Sequence, residues 1–180
     1  MREAKKIALS AMMSALGVVF MTVGAFVPSL DLTAAALSSL TVVLVFIEVG
    51  APHVYLVWLA SSLLGFIFFS GSAVWLEYLL VFGLYPILKA YIERLPRGFW
   101  LIVKLVYANL VFALLFWLME ALLGMPFDTG EAIFGVSGAP LLVAVWVLLN
   151  VAFFAYDTLI SISVRIYFAK YRDRFKKLLK

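Results

Sequence analysis

The residues able to do chemistry in this chain are few, and most are acids and aromatics set into apolar stretches. Asp31, Glu77, Glu120, Asp128 and Glu131 form one group of carboxylates, with Trp75, Tyr78, Trp117 and Trp146 at similar depth and Asn109 and Asn150 deeper. Carboxylates pair with amines, and aromatic faces stack on rings or hold cations. Such a set suits a pocket for a neutral or cationic ligand, with Asp31, Trp75, Glu77, Tyr78, Trp117, Glu120, Trp146 and Asn150 as its candidate lining. The same residues also suit an aromatic belt at a membrane surface with solvated loop acids, and Asn150 suits hydrogen bonding between helices. A second group, Glu48, Lys89, Glu93 and Asp157, mixes signs. Lys89 and Glu93 are four apart and share a helix face, while Glu48 and Asp157 have Lys and Arg to pair with, so this group reads as structural.

No GxSxG, Walker-type or HExxH pattern occurs, so no enzymatic activity is expected. There is no cysteine, and the one histidine, His53, cannot make a metal site alone. Neither a metal nor a cofactor is expected. Without a nucleotide-binding motif, active transport would need to be energised by another protein or by an ion gradient.

These residues are positioned by long apolar segments. Of 180 residues, 66% are hydrophobic and 13% charged, and the mean hydropathy is +1.13. A soluble domain of this size needs a more polar surface. The period-2 alternation of an outer-membrane barrel is absent. The fold expected is an all-α, polytopic membrane protein of six transmembrane helices in a single domain, residues 1–180. The spans fall at about 7–27, 32–49, 53–70, 73–92, 99–123 and 140–168. They are separated by Pro28-Ser29-Leu30-Asp31, Gly50-Ala51-Pro52, Ser70-Gly71-Ser72, Leu95-Pro96-Arg97-Gly98 and a longer loop from Gly124 to Ala139. Pro86 lies inside the fourth span and is expected to kink it. The short second and third spans could also form one broken or re-entrant hairpin. The N-terminal segment has basic residues but no small-residue cleavage site, and reads as a retained span.

All fourteen Lys and Arg fall in three places: before the first span, around the turn between the fourth and fifth, and from Arg165 to the C-terminus. With six spans these places share one side, which the positive-inside rule makes cytoplasmic. Both termini are then cytoplasmic in a cell (plasma) membrane. The tail, residues 169–180, reads as an orientation signal and a contact for anionic lipid of the bilayer; no nucleic-acid partner is expected.

The first span, KKIALSAMMSALGVV onward from Lys5, carries Ala4, Ala8, Ala11 and Ala15. Ala4/Ala8 and Ala11/Ala15 are each four apart, so each pair shares one face, and small faces let helices approach closely in lipid. This opening resembles the start of substrate-binding S components of energy-coupling factor (ECF) transporters. The resemblance implies a six-helix bundle whose first helix docks, through the alanine face, on a scaffold membrane subunit driven by two ATPase subunits. It also implies a ligand site opening outward, built from the later helices and outer loops, for a small vitamin-like micronutrient. Glu77, Glu120, the 124–139 loop and Asn150 would serve it here. The stretches DLTAAALSSL and FGLYPILKAYIERLP also resemble small uncharacterised membrane proteins of Gram-positive bacteria often grouped with S components. The residue sets that identify a particular vitamin are missing. A structural scaffold similar to the rod-shape protein MreD, binding partner proteins and no solute, is the alternative. A small secondary carrier or membrane enzyme lacks the repeats or catalytic constellation it would need.

Overall fold

The structure, a computed structural model, describes residues 3–125 and 137–172. Helix α1 (Glu3–Phe26) passes through a 3-10 turn (Pro28–Leu30) into α2 (Asp31–Glu48), and α3 (His53–Phe69) follows. Then α4 (Val74–Glu77), a π-helical turn (Tyr78–Phe82) and α5 (Tyr85–Ile92) make one stretch. The chain continues as α6 (Arg97–Leu123) and α7 (Ala139–Ile166), which runs on into a second π turn (Tyr167–Tyr171). The described residues contain no strand.

Five stretches are long and apolar enough to cross a membrane: Glu3–Phe26, Pro28–Glu48, Val74–Ile92, Arg97–Leu123 and Ala139–Tyr171. This is the architecture of a multi-pass helical membrane protein. The third of the six expected spans, α3, has 17 residues, about 26 Å at 1.5 Å per residue, which is short for a crossing. Pro126, Asp128, Gly130, Glu131 and Gly135 of the expected loop, and the tail beyond Arg172, lie outside the described residues.

Helices α1, α2 and α3 pack through small residues. In lipid, apolar burial drives helix association weakly, so close approach and interhelical hydrogen bonds hold helices together. The buried face of α1 includes Ser10, Ser14, Gly17, Met21 and Gly24. Ser38 Oγ donates to the Gly17 carbonyl at 2.9 Å, and Ser61 Oγ to the Ser14 carbonyl at 3.3 Å. Ala4, Ala8, Ala11 and Ala15 lie on the other side and are exposed. At Gly24 an added Cβ would stand 2.9 Å from Ala34 Cβ, Asp31 Cα and Val74 Cγ2. Gly24→Leu is therefore expected to lower stability by about 1–3 kcal/mol through overpacking. Ala15→Leu, on the open side, should leave the thermal midpoint in detergent nearly unchanged.

The middle of the bundle is set by the broken fourth stretch. The Gly83 amide bonds back to the Tyr78 carbonyl at 2.6 Å, a five-residue reach. Pro86 has no N–H, so it cannot serve the Phe82 carbonyl four residues earlier. Carbonyls released by this wide turn are taken by side chains of three other helices. Trp58 Nε1 of α3 donates to Leu79 O at 3.0 Å. The Tyr107 hydroxyl of α6 donates to Leu80 O at 2.7 Å, and the Tyr156 hydroxyl of α7 to Phe82 O at 2.9 Å. A break that exposes backbone polar groups is tolerated in a membrane protein only where protein partners satisfy them. The expected kink at Pro86 is thus present, preceded by a π turn that the proline alone does not announce.

One end of the bundle gathers the described basic residues. His53 Nε2 lies 3.9 Å from Glu3 Oε2. The Tyr167 hydroxyl donates to Glu48 Oε1 at 3.1 Å, with Arg172 Nε 3.7 Å from the same oxygen. The start of α1, the turn between α2 and α3, and the end of α7 therefore meet here.

Candidate functional site

Glu77 closes α4, immediately before the π turn, and is only 4% exposed. It lines a cavity of about 230 Å³ enclosed by the start of α2, the π turn, α6 and α7. The remaining wall is apolar: Leu32, Val81, Phe82, Phe112, Leu115, Phe116, Met119, Leu149, Ala152 and Phe153. Glu77 Oε2 has no hydrogen-bond partner among the described residues. A carboxylate taken out of water without a partner is costly. The arrangement is chemically incomplete, and a hydrogen-bond donor or a cation held among the rings would complete it.

The other expected lining residues are distributed as follows. Asp31 begins α2 next to the wall residue Leu32 and is half-buried, its Oδ1 accepting from the Leu32 amide at 2.6 Å. Trp75 and Tyr78 are buried but face elsewhere, because neighbouring helical residues point about 100° apart. The Trp75 ring packs edge-on against Phe66 at 5.0 Å. The Tyr78 hydroxyl is buried away from the cavity, with no hydrogen-bond partner among the described residues. Trp117 is 63% exposed and Glu120 is exposed as well, so neither shares the cavity. Trp146 and Asn150 belong to a shallow groove between α6 and α7, with Leu105, Asn109 and Phe154. There Trp146 Nε1 donates to Asn109 Oδ1 at 2.5 Å, and Asn109 Nδ2 to Asn150 Oδ1 at 3.2 Å. Asn150 thus joins two helices, one of the two roles its type suggested. Trp146 also stacks on the wall residue Phe116 at 6.0 Å without itself lining the cavity.

Of the eight expected lining residues, then, Glu77 alone is on the cavity wall. What the sequence reading missed is the apolar wall. Phe112, Phe116 and Met119 lie at i, i+4 and i+7 of α6, a legible face, but one that equally apolar neighbours disguise.

The mixed-sign group is a connected network. Lys89, 5% exposed, pairs with Asp157 and, at 2.9 Å, with Glu93. Lys104 lies 2.7 Å from Asp157 Oδ2 and 3.7 Å from Glu93. The Tyr85 hydroxyl donates to Asp157 Oδ1 at 2.6 Å. Two lysines and two carboxylates balance, as buried charges must. The pairing of Lys89 with Glu93 follows the four-residue spacing, whereas Lys104 and Tyr85 enter only through the tertiary fold.

Compared with family models, with curated proteins and with solved structures, the chain matches none.

Proposed function

We propose that this protein is the substrate-binding membrane subunit of an energy-coupled importer of the ECF S-component kind. It captures a small apolar ligand bearing one cationic or hydrogen-bond-donating group in the Glu77 cavity. The observation that carries this reading is the unpartnered, buried Glu77 in a cavity otherwise walled by hydrocarbon and aromatic rings. In this reading the basic end is cytoplasmic, both termini lie there, and the Glu77 end faces outward. A scaffold membrane subunit and two ATPases are the partners. The docking surface is the exposed face of α1 with Ala4, Ala8, Ala11 and Ala15, which the packing of α1 against α2 and α3 leaves free.

Gentle purification from the native membrane, followed by mass spectrometry of co-purifying proteins and small molecules, tests this. Recovery of a membrane scaffold with two ATPases and a small amine is the expected result. Cell-shape or division proteins without a small molecule would overturn it in favour of the MreD-like alternative. Ala11→Trp should remove the scaffold and ATPases from the purified material while the protein still elutes as a folded species. Undiminished partner recovery would reject this face as the docking surface.

A further inference from the structure

Glu77 is a buried acid set among segments that hold no basic side chain. No Lys or Arg occurs from residue 7 to 88 or from residue 105 to 164. The whole cavity wall is drawn from these two segments. The titratable groups on the surrounding helices are engaged elsewhere or carry the wrong sign. On α2, Asp31 acts on Glu77 with the same charge, while Glu48 bonds Tyr167 at the other end. On α1 and α3, Lys6 and His53 meet Glu3 at the basic end. On α6, Lys104 is held by Asp157 and Glu93, Tyr107 donates to the Leu80 carbonyl, and Glu120 is exposed. On α7, Tyr156 donates to the Phe82 carbonyl, and Asp157 is shared by Lys89, Lys104 and the Tyr85 hydroxyl.

A second cavity, of about 370 Å³, shows the contrast. Lys89 and Glu93 are both on its wall, 2.9 Å apart, so each charge there has its partner within the chain. The partner of Glu77 must come from outside the chain, as a proton or as a ligand cation. A carboxylate alone in an apolar cavity is costly enough that the group takes up a proton instead. The empty cavity is then neutral. A cation that entered without loss of that proton would leave one uncompensated charge, at a similar cost. Exchange avoids both states. The carboxyl O–H bond breaks, its proton passes to water outside, and an ammonium N–H donates to the carboxylate so formed. The net charge of the cavity is zero before and after. The rings of Phe82, Phe112, Phe116 and Phe153 suit the rest of the ligand, since ring faces attract a cation and pack against an apolar body. For a neutral donor an amide at position 77 would suffice, and what a carboxyl adds is the option of charge.

We infer that the ligand is a small organic ammonium ion and that it displaces a proton from Glu77, one for one. This rests on the capture reading above and narrows its ligand class.

Infrared spectra of the purified, ligand-free chain report the charge state of Glu77, because a protonated carboxyl has a C=O stretch that a carboxylate lacks. The wild type should show such a stretch, and Glu77→Gln should lack it. Glu77→Leu serves as the blank if Glu77→Gln does not fold. Benzylammonium and butylammonium are then added in weakly buffered solution with a pH indicator, and benzyl alcohol is the neutral probe. Each bound ammonium ion should remove the stretch and release one proton. Its apparent affinity should rise about tenfold per pH unit while the empty carboxyl and the probe both stay protonated. Glu77→Gln should release no proton, and benzyl alcohol should change neither the stretch nor the pH. An ionised Glu77 in the ligand-free protein would overturn the exchange. So would ammonium binding with the stretch retained, or binding of benzyl alcohol while both ammonium ions are refused, and either result leaves the capture reading standing. An unshifted thermal midpoint with all three probes removes capture and exchange together, and is told apart by a resting carboxyl stretch that no probe alters.

Discussion

Asp157→Asn should be the most destabilising conservative change in the chain. Asp157 holds Lys89 through one carboxylate oxygen and Lys104 through the other, and accepts the Tyr85 hydroxyl as well. An amide keeps the shape and removes the charge. Two buried ammonium groups would then share Glu93, the most exposed member of the network at 37%. Breaking a buried pair by removing one partner costs about 3–5 kcal/mol, because the remaining charge stays buried. The thermal midpoint in detergent should fall accordingly. Adding Lys104→Met should restore part of the loss, since one lysine and one carboxylate then remain balanced. A double variant less stable than Asp157→Asn alone would show that the lysines are not the source of the penalty.

Glu77 should behave in the opposite way, its loss helping the fold and harming binding. Glu77→Leu removes a buried carboxylate with an unsatisfied oxygen, and relief of such a group is worth about 1–3 kcal/mol. The ligand-free protein should therefore melt higher. Truncating one partner of a buried charged contact costs 2–5 kcal/mol, so retention of the co-purified small molecule should fall roughly 30-fold or more. Glu77→Gln separates the ligand classes. A neutral hydrogen-bond donor should still be held by the amide oxygen, whereas a cation should be lost. Unchanged small-molecule recovery with Glu77→Leu would place the binding site elsewhere.

Much of the fold was legible because hydropathy and punctuation agree. Pro28, Gly50-Ala51-Pro52, Gly71 and Pro96 fall at helix ends within a residue or two of the expected boundaries. The face of α1 was harder. Alanines at four-residue spacing suggest a close-packing surface, yet the bundle uses the stripe of Ser10, Ser14, Gly17 and Gly24 on the other side. Spacing reports which residues share a face, and the hydroxyls waiting on α2 and α3 decide which face turns inward. The candidate site was legible only in Glu77. Equal depth groups the acids with the tryptophans, but depth does not imply convergence. Rotation about each helix axis sends Trp117 and Glu120 to the surface and Glu77 to the interior.

The π turn also sets the phase of the residues on either side of it. Glu77 and Lys89 are twelve positions apart. In an uninterrupted α-helix that separation leaves two side chains about 120° apart around the axis. A turn that absorbs one extra residue reduces the offset to about 20°. Glu77 and Lys89 thereby fall on one meridian of the stretch, each on the wall of its own cavity. A chain one residue shorter between Tyr78 and Phe82, running as plain α-helix, would leave the acid and the lysine eleven positions apart and at the same offset of about 20°. The π turn thus keeps the phase of that shorter helix, and what the extra residue adds is the set of carbonyls offered to Trp58, Tyr107 and Tyr156.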